Sequence, residues 1–128
     1  MEAMNNVILA VVFVNGVYDI FCFLGIMWLH ELPGFSTFHT GIFKEDELTP
    51  LTKRILAFWI LTYGMIRVMA GAFGHENHVI YSAAALTYFI EVFAYEYELF
   101  AFETVIPFKV RAVTLMSLTI TTTLLFCA

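Results

Sequence analysis

The residues able to do chemistry in this chain stand where charge is costly. Asp19 falls inside the run "VILAVVFVNGVYDIFCFLGIMWL" and Arg67 inside "LAFWILTYGMIRVMAGAF". Glu91, Glu96, Glu98 and Glu103 punctuate the aromatic stretch "EVFAYEYELFAFE". Ionisable groups in such surroundings mark an ion pathway, a proton relay or mutual pairing. Asp19, Arg67 and Glu91 could form a relay acting on a proton or a lipid, or they could pair and fix helix register. Asn15 lies four residues before Asp19, on the same helical face.

Other constellations are weaker. His75 and His78 are three apart in the turn "HENH", a poor metal site with only Glu76 and Asn77 between them. Haem held between helices needs histidines within facing spans, whereas His30, His39, His75 and His78 lie in or beside loops. The Glu-x-x-His pairs of a di-iron bundle are missing, and no Ser or Thr sits beside a base in a recognisable nucleophile motif. No catalytic set, metal site or cofactor is expected, beyond a bound lipid.

The elements that would position these groups are membrane helices. Of 128 residues, 61 % are hydrophobic and 13 % charged, with a mean hydropathy of +0.84. Soluble domains are nearer half apolar and a quarter charged. A helix of about 20 residues crosses the hydrocarbon, and four stretches qualify: 7–29, 51–73, 79–102 and 108–127. Pro33, Pro50 and Pro107 fall between them, and Thr49–Pro50 reads as an N-cap followed by a first-turn proline. The expected fold is therefore all-α, a single four-helix membrane domain over 1–128 built as antiparallel up-down hairpins. The 30–50 loop, aromatic in its spacing, is expected to lie along the interface. No presequence is evident: "MEAMNN" lacks a positive region, and no Arg-rich leader is present. Cys22 and Cys127 sit in apolar runs and read as packing residues. The formal charge of −5 argues against a nucleic-acid partner.

Lys44, Lys53 and Arg54 flank the first loop and Lys109 and Arg111 the third, while both ends and the second turn carry no Lys or Arg. By the positive-inside rule both termini lie on the side opposite those two loops. Span 1 tolerates Asp19, because its apolar residues contribute about −4 to −8 kcal/mol against about +3 for one central Asp. The third span has no such margin and needs a partner helix.

Counting about 1.5 Å per residue from the far boundary, Arg54 and Glu98 share a depth near 28 Å. Arg67 falls about 9 Å and Asp19 and Glu91 about 18 Å deep, a gap an arginine can largely bridge. An Arg54–Glu98 pair and an Arg67 cluster are expected. Glu91 and Glu98 share one face, Glu96 and Glu103 another, so the second pair is left for the interface or another subunit. Ala57, Gly64 and Gly71 form a small-residue stripe suited to close helix packing, expected to meet "SAAA" at Ser82–Ala85. Trp28 and Trp59 are expected in a membrane belt.

The middle of the chain adds a family likeness. "RILAFW", with Arg54 and Trp59, is followed by "HENHVIYSAAALTY" and then "EYELFAFET", with Glu98 and Thr104. In order and spacing these resemble the ergosterol biosynthetic protein 28 family of small four-span membrane proteins. The resemblance implies a non-catalytic scaffold of the endoplasmic-reticulum membrane that tethers the sterol C4-demethylation enzymes. Arg54, Trp59, Glu98 and Thr104 would then be shared structural positions, with Glu91 and Glu96 outside the pattern. The expected partners are other integral membrane proteins and membrane lipids. An accessory subunit of a mitochondrial or plastid energy-converting complex is the alternative, and a small enzyme or transporter using Asp19, Arg67 and Glu91 the second.

Overall fold

Four long helices carry the chain in the computed structural model, which describes residues 1–29 and 34–128. They are α1 (Glu2–Met27), α2 (Pro50–Phe73), α3 (His78–Tyr97) and α4 (Pro107–Cys127). A π-helical stretch, Glu98–Phe102, prolongs α3, and a 3-10 turn, Thr40–Ile42, interrupts the long first loop. Each helix, with the π stretch counted into the third, is long and apolar enough to cross a membrane. The chain is an all-α membrane bundle. His30 and Pro33 lie outside the described residues.

The ends of the helices follow local chemistry. The Thr49 hydroxyl accepts from the Thr52 amide at 3.2 Å, and Pro50 fills the position where a missing N–H costs nothing. Asn77 caps α3 by accepting from the amides of Val79 (3.0 Å) and Ile80 (3.2 Å). Glu103, with φ of 55°, ends the π stretch in the left-handed region.

α1 packs chiefly on α2, and α3 on α4 and α2. The stripe of α2 therefore meets α1, where the sequence pointed to α3. Its counterpart is Gly16: a Cβ there would lie 2.7 Å from the Gly64 carbonyl oxygen, and a Cβ on Gly71 would run into Phe13. Ala57 is fully buried among Cys22, Phe23 and Ile26 of α1. Ala84 and Ala85 of α3 pack instead with Leu9, Ala70 and Leu124.

The first loop does not simply lie along the interface. Its described part folds over the end of the bundle, burying His39 and Ile42. It pairs there with the third loop: Phe43 bridges Val105, the Lys44 amide donates to the Thr104 carbonyl at 2.8 Å, and the Ile106 amide donates to that of Ile42 at 2.8 Å. Lys109 Nζ adds a bond to the Gly41 carbonyl at 2.8 Å.

Candidate functional site

Core packing falls into apolar clusters separated by a polar layer. One cluster holds Val12, Ala70 and Tyr88; others hold Cys22, Tyr63 and Tyr95. Asp19, Arg67 and Glu91 lie between these limits on their own helices, at relative exposures of 1 %, 1 % and 3 %. Packing alone thus brings one charged residue from each of three helices to a single level.

Arg67 of α2 is the hub. Its Nη1 donates to Asp19 Oδ2 at 2.7 Å and to Asn15 Oδ1 at 3.3 Å, both on α1. Its Nη2 donates to Glu91 Oε2 at 2.6 Å, and its Nε to Thr87 Oγ1 at 3.0 Å, both on α3. The guanidinium also lies over two rings, 4.2 Å from the Tyr63 centroid and 3.7 Å from that of Tyr88. Tyr88 in turn donates to Asn15 Oδ1 at 2.5 Å. A planar, always-charged fork with this many partners ties three helices at fixed rotation and depth. Buried charge is tolerable only when it is paired and hydrogen-bonded in this way.

His39 approaches from the loop. Its Nε2 is 3.7 Å from Asp19 Oδ1, too long for a hydrogen bond. Burial, and then the positive charge of Arg67, push its pKa from 6.5 down to about 3, so the ring is neutral and the contact is no ion pair. Its Nδ1 and the hydroxyls of Tyr63 and Tyr95 are buried without a hydrogen-bond partner among the described residues.

The remaining glutamates are placed differently from the sequence reading. Arg54 and Glu98 form no ion pair. Arg54 is exposed beside the end of α1, while Glu98 accepts from Thr104 Oγ1 at 2.6 Å. Equal depth does not fix rotation about the helix axis, and Glu98 opens the π stretch, where the register of α3 changes. Glu96 has a partner within the chain: it accepts from Arg111 at 3.1 and 3.2 Å and from Thr114 at 2.7 Å, both on α4. Glu103 is exposed. Trp59 is half-buried in edge-to-face contact with Tyr63 and Tyr95, an inner position in place of a belt, whereas Trp28 is 64 % exposed.

Tyr63, Thr87 and Tyr88 belong to the site but were not singled out from sequence. A signal existed for two of them. Tyr63 precedes Arg67, and Thr87 precedes Glu91, by the four residues that place side chains on one helical face. His39 has no such mark, since its burial depends on how a loop folds.

Chemically, the arrangement can hold helices together. The described clefts are lined by other residues than Asp19, Arg67 and Glu91. In comparisons with known proteins, a family model described as "Erg28 like protein" matches residues 4–125. No curated protein and no solved structure matches the chain.

Proposed function

The chain belongs to the Erg28-like family, and from that premise we propose that it is a non-catalytic membrane scaffold. Its helix faces hold the sterol C4-demethylation enzymes together in the endoplasmic-reticulum membrane, with both termini on the side opposite the first and third loops. The observation that carries this reading is the Arg67 cluster, whose three charged groups line none of the described clefts, Asn15 alone of the partners of Arg67 reaching one. A site acting on a substrate opens onto a cleft with a few convergent polar groups. Here Arg67 satisfies Asp19 and Glu91 inside packed protein, at 2.7 and 2.6 Å. The outer faces are apolar, with Phe89, Phe93 and Phe100 on the third span and Leu115 and Phe126 on the fourth all more than half exposed. Such faces suit lipid or neighbouring membrane helices.

Extraction in a mild detergent, native sizing and mass identification of the companions test this. Sterol demethylation enzymes are the expected companions. Respiratory or photosynthetic subunits would make the chain an accessory subunit of an energy-converting complex. A protein that migrates alone would end the scaffold reading.

A further inference from the structure

A second group of polar side chains lies away from the buried cluster. Where the end of α1, the described part of the first loop and the first turn of α2 meet, there is a cleft of about 510 Å³. Ile26, Met27 and Pro50 give it apolar lining, Thr37 contributes a hydroxyl, and Lys53 and Arg54 contribute cations, while the Thr40 hydroxyl is already donated to the Ser36 carbonyl at 3.1 Å. No described residue lining it is acidic. Lys53 and Arg54 are both exposed, and neither forms an ion pair with a described residue. Lys53 also lines the adjoining cleft, with Glu45 and Asp46, whereas Arg54 lines this one and not that one.

Neither cation has an ion-pair partner among the described residues, so an anion entering the cleft meets both. A guanidinium, an ammonium and a threonine hydroxyl lining one cleft are the groups that receive phosphate oxygens. The apolar side distinguishes the source. Free phosphate gains nothing from Ile26 and Met27, whereas a phospholipid can rest its glycerol and first acyl carbons there. Trp28, exposed just beyond Met27, is of the type enriched at headgroup level.

We propose that this cleft binds the phosphate of an anionic phospholipid from the leaflet that faces the first and third loops. The site is independent of what the scaffold holds. Each cation near an anionic membrane surface contributes roughly a fivefold preference, so the two together give about thirtyfold.

The test uses the full chain in discs of phosphatidylcholine with a minor share of phosphatidylserine, reading retained lipids by native mass spectrometry. Phosphatidylserine should be enriched over phosphatidylcholine, and Lys53→Ala/Arg54→Ala should lower that enrichment by about thirtyfold. Arg54→Gln alone should lower it about fivefold, which keeps the test open if the double variant folds poorly. Arg111→Ala, which removes a cation bonded to Glu96, should leave it unchanged. An absent enrichment, or one that survives the Lys53 and Arg54 substitutions, overturns the proposal. So does displacement of the lipid by inorganic phosphate alone, since a free anion would then suffice.

Discussion

Gly16 of α1 and Gly64 of α2 meet backbone to backbone: a Cβ on Gly16 would stand 2.7 Å from the Gly64 carbonyl oxygen and 2.7 Å from the Val68 amide nitrogen. A Cβ on Gly64 would stand 2.9 Å from Asp19 Cβ. This approach sets the distance across which Arg67, one turn from Gly64, reaches Asp19. Close packing and ion pairing are therefore one feature of the bundle.

Gly16→Ala should be strongly destabilising, because the atoms it meets are backbone and cannot turn aside. Overpacking of this kind costs about 1–3 kcal/mol. Titration of the purified protein with a denaturing detergent, followed by loss of helix packing, measures it. Gly34→Ala is no control, because Gly34 has φ of +86°. Gly41→Ala is better, with its nearest neighbour the flexible Lys109 Nζ at 3.5 Å, and should change little. Equal stability of Gly16→Ala and the parent would mean the helices are not held this closely.

Arg67→Met should cost about 3–5 kcal/mol, the penalty for leaving buried groups of a broken pair without their partner. It strips donors from Asp19, Glu91, Asn15 and Thr87 together. Asp19→Asn/Arg67→Met/Glu91→Gln, which removes charge from all three, should recover much of that loss. If the triple variant were as unstable as the single one, packing around Arg67 and not its charge would dominate. The same denaturation series decides between these outcomes.

The four spans were legible because hydropathy and proline spacing report the bilayer directly. The Arg67 cluster was legible because helical rise fixes depth: Asp19 and Glu91 were placed level, and Arg67 within reach. Rotation was not legible in the same way. Arg54 and Glu98 share a depth but not a direction, Trp59 turns inward, and Ala57, Gly64 and Gly71 face α1, where Gly16, one of two glycines in an apolar run, gives little sign of being their counterpart. The loop's fold was the least accessible, since the Phe43–Val105 bridge depends on tertiary contact and not on period.

His39 makes stability depend on pH. Asp19 faces it from α1 and Tyr63 from α2, with Arg67 adding an adverse charge. Its folded pKa, about 3, lies below its unfolded value of 6.5. Between those values the unfolded chain binds a proton that the folded chain does not. The contribution is thus complete above 6.5 and is lost as pH falls towards 3. The loss approaches about 1.4 kcal/mol per unit, or about 2 kcal/mol by about pH 5. Carboxylates titrate in part of the same range, so the comparison is with His39→Gln, whose profile should be flatter between about pH 6.5 and about pH 5. Parallel profiles for the two proteins would show that His39 titrates normally in the folded state.

Glu98 should matter through Thr104 and not through Arg54. The Thr104 hydroxyl donates to Glu98 Oε2 at 2.6 Å, while its carbonyl accepts from the Lys44 amide at 2.8 Å. One residue thereby links the end of the third span to the first loop. Hydrogen bonds to charged groups contribute about 1.5–3 kcal/mol, and the half-buried position places Thr104→Val near the lower figure. Glu98→Gln keeps an acceptor and should cost less. A double-mutant cycle on Glu98→Gln and Thr104→Val should show clear coupling. The cycle on Glu98→Gln and Arg54→Gln should add within about 0.5 kcal/mol, as residues without a shared contact do. Strong coupling in the second cycle would restore the Arg54–Glu98 pair and require Arg54 to leave the cleft at the end of α1.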